Sequence, residues 1–318
     1  MRSPRSRPRC VADGVSPQTP QDAGAAWINC MRRGAWAEAW AISDAILTAR
    51  ASARDWHAPR HLQAIWDGTP LQGRSVLVRC YHGLGDTIQF IRFIPPLREI
   101  ASEVTIWAQP ELIPLLRTMP GMGRLEPLHD GTPEIVHEVD IEIMELAHVL
   151  RVTPETLSAE IPYLHPPLTP SRDKGFAVGL VWAAGEFDPQ RAIPLRLLEP
   201  LAELPGVTLH ILQRGPALDE RPQGFGIDLG SDDVLALASL MLSLDLVITV
   251  DSMPAHLAGA LGVPVWLLLR HGADWRWMEG SDTSPWYPSM RLFRQPSPGD
   301  WGPVAREVVA RLREHVVS

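Results

Sequence analysis

LVITV-DSMPAHLAGALG-VPVWLLL, residues 246–269, decides how this chain is read. Its first five residues are apolar and mostly β-branched, as a strand buried on both faces requires. Asp251 and Ser252 stand where that strand stops. Pro254 suits the first turn of a helix, where its missing N–H costs nothing. Residues 255–261 continue a short helix, Gly262 closes it, and residues 263–269 form a second buried strand. Strand, polar turn, helix and strand in this order make the unit of a parallel α/β sheet, which binds ligands beyond the carboxyl ends of its strands. The free N–H groups and dipole of a helix start favour an anion such as a diphosphate. Two plainer readings also fit: Asp251 and Ser252 as N-caps worth about 1 kcal/mol each, and His256 as a satisfied helix-surface histidine.

Outward from this stretch the same alternation recurs. Residues 176–182 (FAVGLVW) are a buried strand followed by a polar loop, 183–191. A helix over 195–204, a strand over 208–212 and a helix over 232–243 capped by Ser231 complete a second α/β half, placed at 171–295. Residues 274–301 hold Trp275, Trp277, Trp286 and Trp301 among prolines. They read as an irregular loop packed across a domain interface. A terminal helix follows in 296–318. Upstream, SVLVRC (75–80) is a strand, 87–98 a helix, 103–107 a strand and 109–117 a helix, with shorter strands near 124–127 and 139–143. This first α/β half spans 71–165 and ends in a proline-rich run. Residues 21–70 carry a helical hairpin over 22–54, patterned by Trp27, Ile28 and Met31, a turn at Arg33-Gly34, then Trp36, Ala39, Trp40, Ile42, Ile46 and Leu47, and a linker. A single hairpin cannot bury its own face, so it is expected to dock on its neighbour. Residues 1–20, polar and arginine-containing, read as a disordered tail.

The chain has 318 residues, 45% of them hydrophobic, and a net charge of -8. That suits two domains with sizeable cores. It lacks the basic face of a nucleic-acid binder, and no apolar run is long enough for a transmembrane segment. Cys10, Cys30 and Cys80 are too few and too scattered for a disulfide framework or a zinc site. A cytoplasmic location is expected.

Tyr81-His82-Gly83-Leu84-Gly85-Asp86 is a glycine-rich turn between a strand and a helix. It is not a dinucleotide fingerprint. The third glycine would fall at Ile88, and the next strand ends Trp107-Ala108-Gln109 without an acid for a ribose hydroxyl. Asp86 at a helix start is suited to act as a general base or as an N-cap.

Four stretches together carry a family resemblance. They are GLGDTIQFIRFIP (83–95), GLVWA followed by RAIP (179–194), DLVITVDSMPAHLAGALGVPVW (245–266), and DWRW followed by SPWYPSMRLFRQ (274–295). In that order they resemble glycosyltransferase family 9, which includes the ADP-heptose:lipopolysaccharide heptosyltransferases. The fourth stretch is closer to a branch often fused to tetratricopeptide repeats. The resemblance implies a GT-B fold, two Rossmann-like domains facing a cleft, and an inverting, metal-independent transferase with no cofactor. Its donor would be a nucleotide-diphosphate sugar, and its acceptor a hydroxyl of a glycan, lipopolysaccharide or protein.

The resemblance also assigns roles. Asp86 matches the general base. Arg191, Asp251, Ser252 and His256 match the donor-diphosphate site, and Arg214 stands where a second basic residue is frequent. Gly85, Gln89 and Arg92 become acceptor-side candidates. Residues 184–190 depart from the branch, and Glu186 and Asp188 add negative charge near the expected phosphate. A catalytically weak nucleotide- or carbohydrate-binding module and a sugar-nucleotide epimerase are the alternatives.

Overall fold

The computed structural model describes residues 20–50, 57–157, 160–168, 175–185 and 188–317. Residues 1–19 of the expected tail, Cys10 among them, and Glu186 lie outside these residues, while Pro20, the last residue of that tail, opens a helix. Two helices open the chain, α1 (Pro20–Arg32) and α2 (Trp36–Ala49). The first α/β half has strands β1 (Ser75–Arg79), β2 (Glu103–Ala108), β3 (Arg124–Pro127) and β4 (Val139–Glu142). They form one parallel sheet in the order β3-β2-β1-β4. Helices α3 (Leu84–Phe90), α4 (Ile94–Ile100), α5 (Ile113–Leu116) and α6 (Leu146–Val149) connect them.

The second half has β5 (Phe176–Val181), β6 (Val207–Ile211), β7 (Ile227–Asp228), β8 (Leu246–Val250), β9 (Val265–Leu269) and β10 (Met290–Arg294). All pair parallel, in the order β10-β9-β8-β5-β6-β7. Its helices are α7 (Val234–Met241), α8 (Met253–Ala260) and α9 (Gly302–Val317). In each sheet the central strands are buried along nearly their whole length, which explains their uninterrupted apolar sequence.

Several expected elements are shortened or broken, each for a local reason. The helix expected over 87–98 is α3, a 3-10 turn at Ile91–Phe93, and α4, because Pro95 and Pro96 occupy the start of a new helix. The helix expected over 195–204 is two 3-10 turns, with Pro200 opening the second. Asp233, not Ser231, caps α7, accepting from the Leu235 and Ala236 N–H groups at 2.9 and 3.0 Å. The tryptophan-rich segment is not wholly irregular, since its end supplies edge strand β10.

The hairpin docks as expected. Trp36 stacks on Trp286 at 4.8 Å, and the Trp40 indole donates to the Val152 carbonyl at 2.6 Å. The Arg32 carbonyl accepts from the Glu279 N–H at 2.8 Å. Hairpin, first sheet and the α7–α8 face of the second sheet share one apolar cluster. A second cluster, under α9, fills the opposite face of the second sheet.

Candidate functional site

The site lies where α3 and α8 meet, each leaving the carboxyl end of a central strand. The cleft expected between the halves is closed at this point, with α3 resting directly on α8. Gly85 makes that approach possible: a Cβ there would stand 2.8 Å from His256 Cδ2 and 3.4 Å from Met253 Cα.

On the second half, Ser252 precedes α8 but makes no cap bond to it. Its hydroxyl donates back to the Val250 carbonyl at 3.0 Å. The capping reading of Ser252 therefore does not hold. Arg191, on a 3-10 turn at Pro189–Arg191, donates from Nη1 to the Asp251 carbonyl at 2.9 Å. A guanidinium thus sits at the start of α8, where the helix dipole adds to its field. Burial pushes the Asp251 carboxyl up to about 6; the nearby Asp274 adds to this, and the Trp277 indole, Arg191 and Arg276 oppose it. Asp188 does not leave its negative charge free near this turn, because Arg270 pairs with it at 3.0 Å.

His256 does not open onto the donor turn as expected. It is 5% exposed, stacks on Trp277 at 5.3 Å, and its Nδ1 meets the Tyr287 hydroxyl at 3.1 Å. Burial, aided by Arg276, Arg92 and Arg191, holds its pKa well below the ordinary range, so the ring is neutral. Arg214 is not drawn to the turn either. It pairs with Asp228 at 3.1 Å and donates to the Gln213 carbonyl at 3.4 Å.

On the first half, Asp86 has both oxygens engaged. Oδ2 accepts from the Gly83 N–H at 3.0 Å, and Oδ1 accepts from Arg276 Nη2 at 2.6 Å. Arg276 also donates to Gln89 Oε1 at 2.8 Å and Asp274 Oδ1 at 2.9 Å, and lies against the Trp275 ring at 4.5 Å. Gln89 and Arg92 do not face an acceptor space. Gln89 is fully buried and Arg92 is 8% exposed. Arg92 donates to the Trp286 carbonyl and the Tyr163 hydroxyl at 2.8 and 3.0 Å, between the rings of Tyr163 and Tyr287. Spacing put these residues on a helix face but could not show that the tryptophan-rich segment covers that face. Among the described residues, no group of three or more His, Cys, Asp or Glu side chains could hold a metal ion.

No family model matches the chain. A curated relative, Protein FlbA of Caulobacter vibrioides, is 28% identical over 299 residues, covering 80% of this chain and 48% of FlbA. The chain therefore spans about half the length of that relative. Among solved structures, a family 9 glycosyl transferase from Veillonella parvula aligns over 77% of this chain and 91% of its own, with TM-score 0.53 and 15% identity. The ADP-heptose lipopolysaccharide heptosyltransferase II of E. coli aligns over 76% and 98%, with TM-score 0.53 and 14% identity. TibC of E. coli, described as an iron-containing dodecameric glycosyltransferase, aligns over 78% and 76%, with TM-score 0.54 and 13% identity. The fold is that of family 9 glycosyltransferases.

Three residues of this GT-B site escaped the sequence. Arg276 lies in the quoted DWRW stretch, but its partner Asp86 is 190 positions away. Gln213 fixes the loop after β5 by accepting the Trp182 and Ala183 N–H groups at 3.1 and 2.9 Å. His82, in the glycine-rich turn, binds Glu142 at 2.9 Å. Local sequence carried no signal for these pairings: paired parallel strands bring Gln213 to Trp182 and His82 to Glu142, and the docking of the two halves brings Arg276 to Asp86.

Proposed function

We propose that this chain is a glycosyltransferase that moves a sugar from a nucleotide-diphosphate donor to an acceptor hydroxyl, with inversion and without a metal ion. The observation that carries this reading is Arg191 on the Asp251 carbonyl, 2.9 Å away, at a helix start that Ser252 leaves without a side-chain cap. A diphosphate there would meet a fork of guanidinium donors and the helix dipole together. Both favour the charge that grows on the leaving group as the glycosidic bond breaks, which is the role a divalent ion plays elsewhere. TibC supports a nucleotide-sugar donor, since it was also solved in complex with ADP-D-beta-D-heptose.

The first half presents the acceptor from its glycine-rich turn. In this reading Asp86 orients Arg276 across the domain junction; it becomes a base only if that ion pair opens. The pairing is also what favours the second reading, a nucleotide-binding module with weak catalysis. Thermal unfolding against ADP, UDP, GDP, CMP and their sugar conjugates tests the proposal. A ligand at 100 times its Kd adds about 2.7 kcal/mol. Stabilisation by one nucleotide class, lost in Arg191→Ala, supports the donor site. No shift from any of them in a folded sample contradicts it. Stabilisation without sugar transfer would favour the weak module.

A further inference from the structure

A cavity of about 530 Å³ lies between the hairpin and the carboxyl end of the first sheet. Trp27, Trp40, Trp66 and Trp275 wall it, and His82, Glu142, Glu145 and His148 are among its polar lining. Nothing in the sequence reading assigned it a role. His82 follows β1 and Glu142 ends β4, so the parallel pairing of these strands brings the two side chains to one sheet edge. His82 Nδ1 meets Glu142 Oε1 at 2.9 Å, with side-chain exposures of 31% and 5%. The carboxylate is held in place. Its Oε2 accepts the Met144 N–H at 2.7 Å and its Oε1 the Tyr81 N–H at 3.4 Å. The turn is held too, since Gln109 Nε2 donates to the His82 carbonyl at 2.8 Å. With Nδ1–H committed to the carboxylate, Nε2 is the nitrogen left to accept a proton.

We propose that this cavity receives the acceptor, a hydroxyl carried on a body with an apolar face, and that His82, positioned by Glu142, takes the hydroxyl proton. The inference rests on the glycosyltransferase reading. The acceptor oxygen forms a bond to the anomeric carbon, and the bond from that carbon to the diphosphate oxygen breaks. The electron pair of that bond leaves with the nucleotide diphosphate, and the proton passes to His82 Nε2. The imidazolium that results is paired with Glu142. Asp86 does not line the cavity, and both its oxygens already have donors. Trp275 faces this cavity while Trp277, two residues on, stacks on His256 of α8. One short turn thus separates the acceptor space from the donor helix.

The charged groups facing His82 are Glu142 from β4, Asp86 from α3 and Arg276 from the turn after β9. Burial disfavours the imidazolium, but the hydrogen bond and charge of Glu142 outweigh it, so the pKa is raised. The free-base form, and with it the rate, therefore grows through an inflection above the ordinary histidine value.

The test uses the whole chain, the nucleotide sugar that stabilises it most, and nucleotide release with water as acceptor. His82→Gln is expected to lower release at least 100-fold, the scale of general-base catalysis, with nucleotide affinity unchanged. Glu142→Gln, which removes the charge and keeps an oxygen for the ring, is expected to move the acid inflection downward. Benzyl alcohol, a hydroxyl on an apolar ring, is expected to speed release severalfold over water. Gly24→Phe should abolish that gain, because a Cβ at Gly24 meets nothing within 4 Å and the ring would fill the cavity. Release that survives His82→Gln, with an unmoved inflection in Glu142→Gln, overturns the base. Absence of any gain from benzyl alcohol overturns the cavity. No binding or cleavage of any nucleotide sugar by the folded wild type overturns the transferase reading beneath both.

Discussion

Arg191 and Arg276 divide the positive charge of the site, and their partners differ. Among the described residues, the hydrogen bonds of Arg191 go to backbone carbonyls, of Asp251 and Asp188, so it keeps its charge for a phosphate; Arg191→Ala should weaken nucleotide binding at least 10-fold by calorimetry. Arg276 is committed to two carboxylates. Asp251 gives the site a pH dependence. Its carboxyl, raised to about 6, is neutral below that value and repels a phosphate above it. Nucleotide affinity should therefore fall as pH rises through 6, and Asp251→Asn should flatten the part of that fall due to this group. Glu145 behaves similarly in stability. Burial lifts its pKa from 4.5 to about 7, the Glu142 charge adds to this, and the N–H groups of Glu142 and Trp66 oppose it. The folded chain holds this proton more tightly than the unfolded chain. Its contribution is thus complete below pH 4.5 and is lost as pH rises to about 7, by at most on the order of 3 kcal/mol. One oxygen, Oε2, accepts both N–H groups, so a glutamine can keep them. Denaturant unfolding at pH 5 and pH 8 should show Glu145→Gln less sensitive to pH than the wild type.

At the scale of elements, the strands were legible and the helices less so. Uninterrupted runs such as LVITV and FAVGLVW mark strands that are buried on both faces, and each is a central strand of its sheet. Helical periodicity was misleading where prolines at 95, 96 and 200 restart the backbone as new turns. Of the site, the turn after β8 was legible as a local motif at a strand end, whereas Arg191 entered only through the family resemblance, and its contact with Asp251, 60 positions away, was not legible. Nor were Arg276 on Asp86 and His82 on Glu142, because each joins residues distant in sequence. The α3–α8 contact makes a prediction of its own. A methyl at Gly85 would press on the His256 ring and the Met253 backbone, so Gly85→Ala should cost about 1–3 kcal/mol by overpacking, read as a lowered Tm.

Across the whole molecule, the hairpin and the tryptophan-rich segment bind the two halves together. Trp36 is 1% exposed and stacked on Trp286, which in turn touches Phe90 of α3. Trp36→Ala should cost about 3–5 kcal/mol, and native-state hydrogen exchange should then quicken in α1 and α2 together. The same packing places the cavity against the hairpin, with Trp275 lining it and Trp277 stacked on His256 of α8. The central claim is the donor site at the start of α8, and crystals grown with the stabilising nucleotide test it most directly. The account predicts density for the diphosphate at the Asp251–Met253 turn, within hydrogen-bond distance of Arg191. A nucleotide bound elsewhere, with that turn unchanged and Arg191 still on the Asp251 carbonyl, would contradict it.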